Sequence, residues 1–228
     1  MSYLQNFISN LDVSALINIL LRVIAALLCI TLHELSHGAA AYLLGDRTAK
    51  DRGRLTINPI RHIDPLGLLM MIVAGVGWAK PVPIDPRNFK RPKQGMAITA
   101  LAGPVCNLVL SLLFLLIGNF LLQFYFYHDA AAAIYYLLLF FLRCAVLSLG
   151  LGLFNLIPIP PLDGSKVLFS ILPDRFYFKL LSCERYISLV LFALVFLDIF
   201  DTPLSWCINH VLYLFCIITG FPPAVLGF

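Results

Sequence analysis

Residues 13–44 read VSALINILLRVIAALLCITLHELSHGAAAYLL, with a single arginine and a single glutamate as their charged groups. About 20 predominantly apolar residues suffice to cross a bilayer as a helix. This stretch therefore predicts a membrane span that is over-long, about 48 Å against a hydrocarbon core of about 30 Å. Either it tilts or one end projects. Embedded in it is His33-Glu34-Leu35-Ser36-His37. Histidines four residues apart share one face of a helix. That spacing lets both imidazoles bind one zinc ion, with the intervening glutamate placed as a base. Five histidines and two glutamates in 228 residues would produce the pattern by chance in about one such chain in a thousand. Ionisable groups at membrane depth are costly, which marks His33, Glu34 and His37 as functional.

The rest of the chain has the same character. Hydrophobic residues make up 61% and charged residues 12%, where a soluble domain carries about 25% charged. The composition excludes an ordinary soluble domain. Apolar runs predict spans at about 13–44, 95–126, 131–157, 185–200 and 204–221. The run Leu66–Trp78 is too short to cross and contains Gly67, Gly75 and Gly77. The expected fold is thus an all-α polytopic membrane protein of about five to six transmembrane helices, with a short strand or re-entrant region at about 54–83 between the first two long spans. No connection is large enough for a second folding unit, so residues 1–228 read as a single membrane-embedded domain. Residues 1–12 pattern as a short interfacial helix rather than as a cleaved signal. Six cysteines without a CxxC pair, most within apolar spans, read as packing residues.

Ten of the sixteen Lys and Arg fall between Arg47 and Lys93, against four Asp in residues 46–93. A basic loop of this kind faces the cytoplasm, and topology alone accounts for the charge, so no nucleic-acid partner is expected. The turn at His128–Asp129 lacks Lys and Arg and belongs to the opposite side, whereas Lys166, Arg175, Lys179 and Arg185 bring the chain back. Five crossings would leave the N-terminus outside and the C-terminus inside. His33 and His37 lie about 16 and 10 Å along the helix from Leu44. A metal there sits within the membrane, nearer the cytoplasmic face, and water needs a protein-lined route to it.

A catalytic zinc site has three protein ligands and an open position, so a third ligand is required. Positions 40 and 43 are alanine and leucine, which rules out a third histidine in the extended zinc motif. Glu184, beside Arg185 at a predicted helix start, reads as a cap or surface pair. Asp163 lies in Asn155-Leu-Ile-Pro-Ile-Pro-Pro-Leu-Asp163-Gly164, at the cytoplasmic end of the span 131–157. Pro158, Pro160 and Pro161 break the helix there, and irregular backbone at membrane depth occurs where it lines a polar cavity. Asp163 is then a metal ligand, or the first residue of an ordinary Asp-Gly turn; spacing leaves both open.

HELSH in a membrane helix, followed far downstream by NLIPIPPLDG, closely resembles the site-2 protease family of intramembrane zinc metalloproteases. Asn58-Pro59, His62-Ile-Asp64-Pro65-Leu-Gly67, Gly77-Trp78-Ala-Lys80-Pro81-Val-Pro83 and Gly103-Pro104-Val-Cys-Asn107 support it. The match covers about residues 20–170 and is to the compact bacterial type, without a PDZ insertion or a CBS domain. The resemblance implies one Zn2+ per chain held by His33, His37 and Asp163, with Glu34 as the catalytic glutamate. It implies a multi-pass protein of the bacterial cytoplasmic membrane, its active site toward the cytoplasm. The substrates implied are single-span membrane proteins within the lipid bilayer.

Asn107 and Asn155 are polar groups inside or ending apolar spans. They fit either an oxyanion or substrate-backbone contact or interhelical hydrogen bonding. His62 reads chiefly as a turn partner, and His128 and His210 as remote from the metal. Arg22 and Arg143, in apolar spans, would snorkel or pair with Asp12 or Asp198. An inactive relative that holds membrane partners without cutting them is the competing reading; such a scaffold has no use for Glu34. A metal-bearing transporter is disfavoured by small size and the lack of repeated halves.

Overall fold

The computed structural model describes residues 13–74, 77–127 and 132–227. The expected interfacial helix at 1–12, and His128, lie outside them. Eight α-helices are described: α1 Val13–Leu43, α2 Thr48–Asp51, α3 Pro65–Ala74, α4 Pro92–Tyr127, α5 Ala132–Asn155, α6 Asp163–Ile171, α7 Asp174–Phe196 and α8 Asp201–Thr219. The fold is all-α, and the only β feature among the described residues is an isolated antiparallel bridge between Ile63 and Ala79. The short region between the first two spans thus holds a helix, Pro65–Ala74, among non-helical segments rather than a sheet. Its helix α3 begins where the Asp64 side chain accepts from the N–H groups of Leu66 and Gly67, both at 3.0 Å, ahead of a proline at the first helical position.

Four described helices are long and apolar enough to cross a membrane: Leu16–Leu43, Pro92–Phe126, Ala132–Asn155 and Asp201–Thr219. They pack around a core of Ala25 and Cys29 from α1, Phe114, Leu115 and Leu122 from α4, Leu138, Leu142, Cys144, Ala145 and Leu149 from α5, Leu212 and Cys216 from α8, and Phe221. Hydroxyls tie α4 to α5 inside this core: Ser111 donates to the Ala145 carbonyl at 2.8 Å and Ser148 to the Asn107 carbonyl at 3.0 Å. The Arg143 guanidinium donates to the Asn18 carbonyl at 2.6 Å and to Asn18 Oδ1 at 2.7 Å, while Asp12, one of its expected partners, lies outside the described residues. Leu16, Leu20 and Ile24 of α1, and Val105, Val109, Leu113 and Leu116 of α4, are exposed at helical spacing. These are faces toward lipid.

The expected span at 185–200 is replaced by a different path. Lys93, at the start of α4, donates to the Leu172 carbonyl at 3.1 Å just before α7. The Phe200 ring, just after α7, lies 6.3 Å from that of Phe154 at the end of α5. Both flanks of α7 therefore sit at the same end of the bundle. The reason is charge: Asp174, Arg175, Lys179, Glu184 and Arg185 occupy its first half, too polar for the hydrocarbon. Helix α8 then runs to the other end, where Asn119 donates to the Thr219 carbonyl at 3.1 Å. With four crossings, the C-terminal end of α8 lies opposite the end of α1 that carries His37, which corrects the side expected from five crossings.

Candidate metal centre

Helix α1 presents His33 and His37 one turn apart, and the first residue of α6 brings Asp163 to them. Asp163 Oδ2 lies 3.2 Å from His33 Nε2 and 3.0 Å from His37 Nε2, and the two Nε2 atoms are 3.0 Å apart. A tetrahedral zinc site with bonds of about 2.0 Å has ligand–ligand edges of about 3.3 Å. The triangle fits three corners of such a site, and all three side chains are buried. Among the described residues this is the one group of three or more potential ligands so clustered. The donor set, two imidazoles and a carboxylate, is also zinc chemistry.

Local sequence explains how the three meet. After α5 the segment Leu156–Leu162 cannot continue as helix through Pro158, Pro160 and Pro161, and the Pro160–Pro161 bond is cis. It turns back so tightly that a Cβ on Gly164 would lie 2.2 Å from the Leu156 carbonyl oxygen. Asp163 enters α6 in its first turn, where a carboxylate suits the helix dipole. On the other side α4 approaches α1 at Gly103, where a Cβ would lie 2.4 Å from His37 Nε2 and 2.7 Å from His33 Cε1. Only glycine fits there.

Hydrogen bonds orient the ligands. His37 Nδ1–H donates to the Thr99 carbonyl at 2.7 Å, and His33 Nδ1 lies 3.1 Å from the Asn107 amide. Lys166 Nζ approaches the second Asp163 oxygen, Oδ1, at 3.2 Å. Asp163 thus turns Oδ2 to the two imidazoles and Oδ1 to the ammonium.

Beside the triangle lies a cavity of about 310 Å3, whose walls include Glu34, Asn155, Lys166, Trp78, Val82 and Phe192. Glu34 Oε2 accepts from the Val82 N–H at 2.9 Å. Val82 belongs to an extended strap, residues 77–85, tied down along its length. Lys80 N–H donates to the His62 carbonyl at 2.9 Å, and Arg54 Nη2 donates to the carbonyls of Lys80 and Pro81 at 2.6 and 3.1 Å. Fully buried Asp46 accepts from Asp85 N–H at 2.8 Å and from Asn88 Nδ2 at 2.7 Å. Gly67 lets α3 touch the strap, since a Cβ there would lie 2.1 Å from the Trp78 carbonyl oxygen.

The sequence-derived residues thus fall into three groups. His33, Glu34, His37 and Asp163 come together. Asn155 lines the cavity, with one amide N–H spent on the Leu151 carbonyl at 2.9 Å. Asn107 is fully buried against His33, behind the metal triangle. His62 donates from Nε2 to the Thr56 carbonyl at 2.9 Å as a turn partner, and His210 stacks on Trp206 on exposed α8. Sequence reasoning missed Thr99 and Val82, which act through backbone atoms, and Gly103, Asp46 and Arg54, whose roles depend on approaches between distant segments.

Two imidazoles and a carboxylate clustered beside a cavity that a glutamate lines, in a bundle of membrane helices, are the groups a membrane metalloprotease would need. Residues 122–197 match the model of peptidase family M50. The chain is 42% identical over 185 residues to "Putative zinc metalloprotease YwhC" of Bacillus subtilis (strain 168), covering 80% of this chain and 81% of that protein. It is 33% identical over 154 residues to "Putative zinc metalloprotease Rip2" of Mycolicibacterium smegmatis, covering 65% of this chain and 56% of the relative. No solved structure matches. The chain belongs to peptidase family M50, the site-2 protease family, and its cofactor is zinc.

Proposed function

We propose that this protein is an endopeptidase that hydrolyses peptide bonds in or near the transmembrane segments of single-span membrane proteins. The observation that carries this reading is the placement of Glu34 on the cavity that the His33–His37–Asp163 triangle faces. The site takes one zinc per chain. Held by His33, His37 and Asp163, zinc would lower the pKa of a bound water toward about 7 and polarise the scissile carbonyl. Glu34 takes the proton of the attacking water and delivers it to the leaving amine, its second role following from the first because the same carboxyl is then protonated. The Val82 N–H holds one Glu34 oxygen in place throughout.

A helical substrate has its carbonyls engaged in backbone hydrogen bonds and must unwind to react. The strap 77–85 is the surface against which the unwound segment lies, and its Ala79, Pro81, Val82 and Ile84 line the cavity. The remaining N–H of the Asn155 amide is available to the substrate carbonyl. The basic loop 46–93 supports an orientation with the site toward the cytoplasm of a bacterial inner membrane.

The test is cleavage of co-expressed single-span candidates by the wild type and by Glu34→Gln. Cleavage by the wild type with loss of about two to four orders of magnitude in the variant is expected. Equal cutting by both sinks the mechanism.

A further inference from the structure

Helix α4 supplies a partner to the outward nitrogen of each metal histidine, but the two partners differ in kind. For His37 it is the Thr99 carbonyl at 2.7 Å. A carbonyl only accepts, so His37 Nδ1 carries the proton and Nε2 is left bare for metal. For His33 it is the side-chain amide of Asn107, with Nδ2 at 3.1 Å from Nδ1. An amide can present either its NH2 or its oxygen by turning half a revolution about χ2. With the NH2 toward His33, Nδ1 must hold a lone pair and the ring proton sits on Nε2, where it points at Asp163 Oδ2 across 3.2 Å. That tautomer does not bind metal through Nε2. The Asn107 side chain is fully buried, and its Oδ1 has no other partner. His33 alone therefore sets the direction of the amide.

Resting on the zinc-site reading above, we propose that Asn107 is a positioning residue that works as an acceptor: with zinc bound its Oδ1 receives the His33 Nδ1–H and fixes the tautomer that offers Nε2 to the metal. Asn107 contacts neither the cavity nor the substrate, so its influence on hydrolysis passes through His33.

Acceptor and donor roles separate in three variants of the full-length protein, measured by zinc competition against a chromogenic chelator in detergent. Asn107→Asp offers only acceptors and retains zinc affinity within about threefold of wild type. Asn107→Leu offers neither and loses about 10- to 100-fold, the usual cost of removing a partner behind a ligating histidine. Thr219→Val, at the far end of α8, reports the background effect of replacing a buried polar side chain. Melting of the zinc-free proteins checks folding, and 15N-histidine spectra of zinc-loaded wild type, which need no variant, show His33 protonated at Nδ1. Equal losses in Asn107→Asp and Asn107→Leu, an unperturbed Asn107→Leu, or an unprotonated His33 Nδ1 would each overturn the proposal. A wild type that binds no zinc overturns the metal-site reading itself, and this proposal with it.

Discussion

The Val82 N–H donates to Glu34 Oε2 at 2.9 Å, joining two residues 48 positions apart. The bond ties the Glu34 side chain to a strap that is itself pinned by Arg54, Asp46 and the His62 carbonyl. Replacing Val82 by proline removes the only N–H involved while adding no charge. A hydrogen bond to a charged group contributes about 1.5–3 kcal/mol, so kcat is expected to fall about 10- to 100-fold with zinc content unchanged. Activity within twofold of wild type would show that Glu34 needs no such anchor.

Gly103→Ala tests the close approach of α4 to the metal histidines. The added Cβ would meet His37 Nε2 at 2.4 Å, at an atom that must face zinc. The expected result is loss of zinc affinity by more than about tenfold, seen as metal content after dialysis. Gly118→Ala, on the same helix, meets Leu142 Cδ2 at 3.2 Å and is the control, with zinc content kept. Full zinc occupancy in Gly103→Ala would contradict the packing.

How much of this could be read from residue order depends on whether a role lives in a side chain or between segments. HELSH was legible because its spacing fixes one helix face and its composition makes chance improbable. Asp163 was legible as a candidate because three prolines must end α5 just before it, although spacing alone left an ordinary turn open. Helix α3 was half legible: Asp64-Pro65 is a helix start, but the glycines and short length read equally as a strand. The path of α7 went unread because the apolar run after Arg185 masks the polar half that holds both its flanks at one end. Thr99 and Val82 act through a carbonyl and an N–H, which every residue but proline possesses, so nothing in their identity announces them.

Asp46 is buried just beyond the last turn of α1 and joins that end to the strap and to Thr48. Burial would raise its carboxyl, but hydrogen bonds from Thr48, Asn88 and the Asp85 and Thr48 N–H groups hold it below the usual range. A depressed folded pKa contributes stability that is present above the unfolded value, about 3.9, and lost as pH falls through the folded value. Asp46→Ala is expected to lower stability at neutral pH by about 1–2 kcal/mol, since it removes the hydrogen bonds that a buried carboxylate accepts from partly exposed donors. Its melting temperature should also fall less steeply than that of wild type as pH drops below about 4. Parallel acid profiles for the two proteins would rule out this account of Asp46.

Lys166 stands three residues after Asp163 and reaches its Oδ1 at 3.2 Å while the other oxygen faces both histidines. The pairing holds the rotation of the carboxylate, with Oδ2 toward the histidines and Oδ1 toward the ammonium. Lys166→Met removes the charge but keeps most of the stem that lines the cavity. Without the ammonium, in the proposed zinc site, the carboxylate would be free to rotate and would hold the metal less uniquely. The expected outcome is retained zinc with kcat reduced about tenfold, and recovery in Lys166→Arg, which restores a donor of the same charge. Matched steady-state kinetics and metal analysis on the three proteins decide it: a Lys166→Met enzyme that keeps wild-type kcat, or an arginine variant no better than methionine, would show that the ammonium does not orient Asp163.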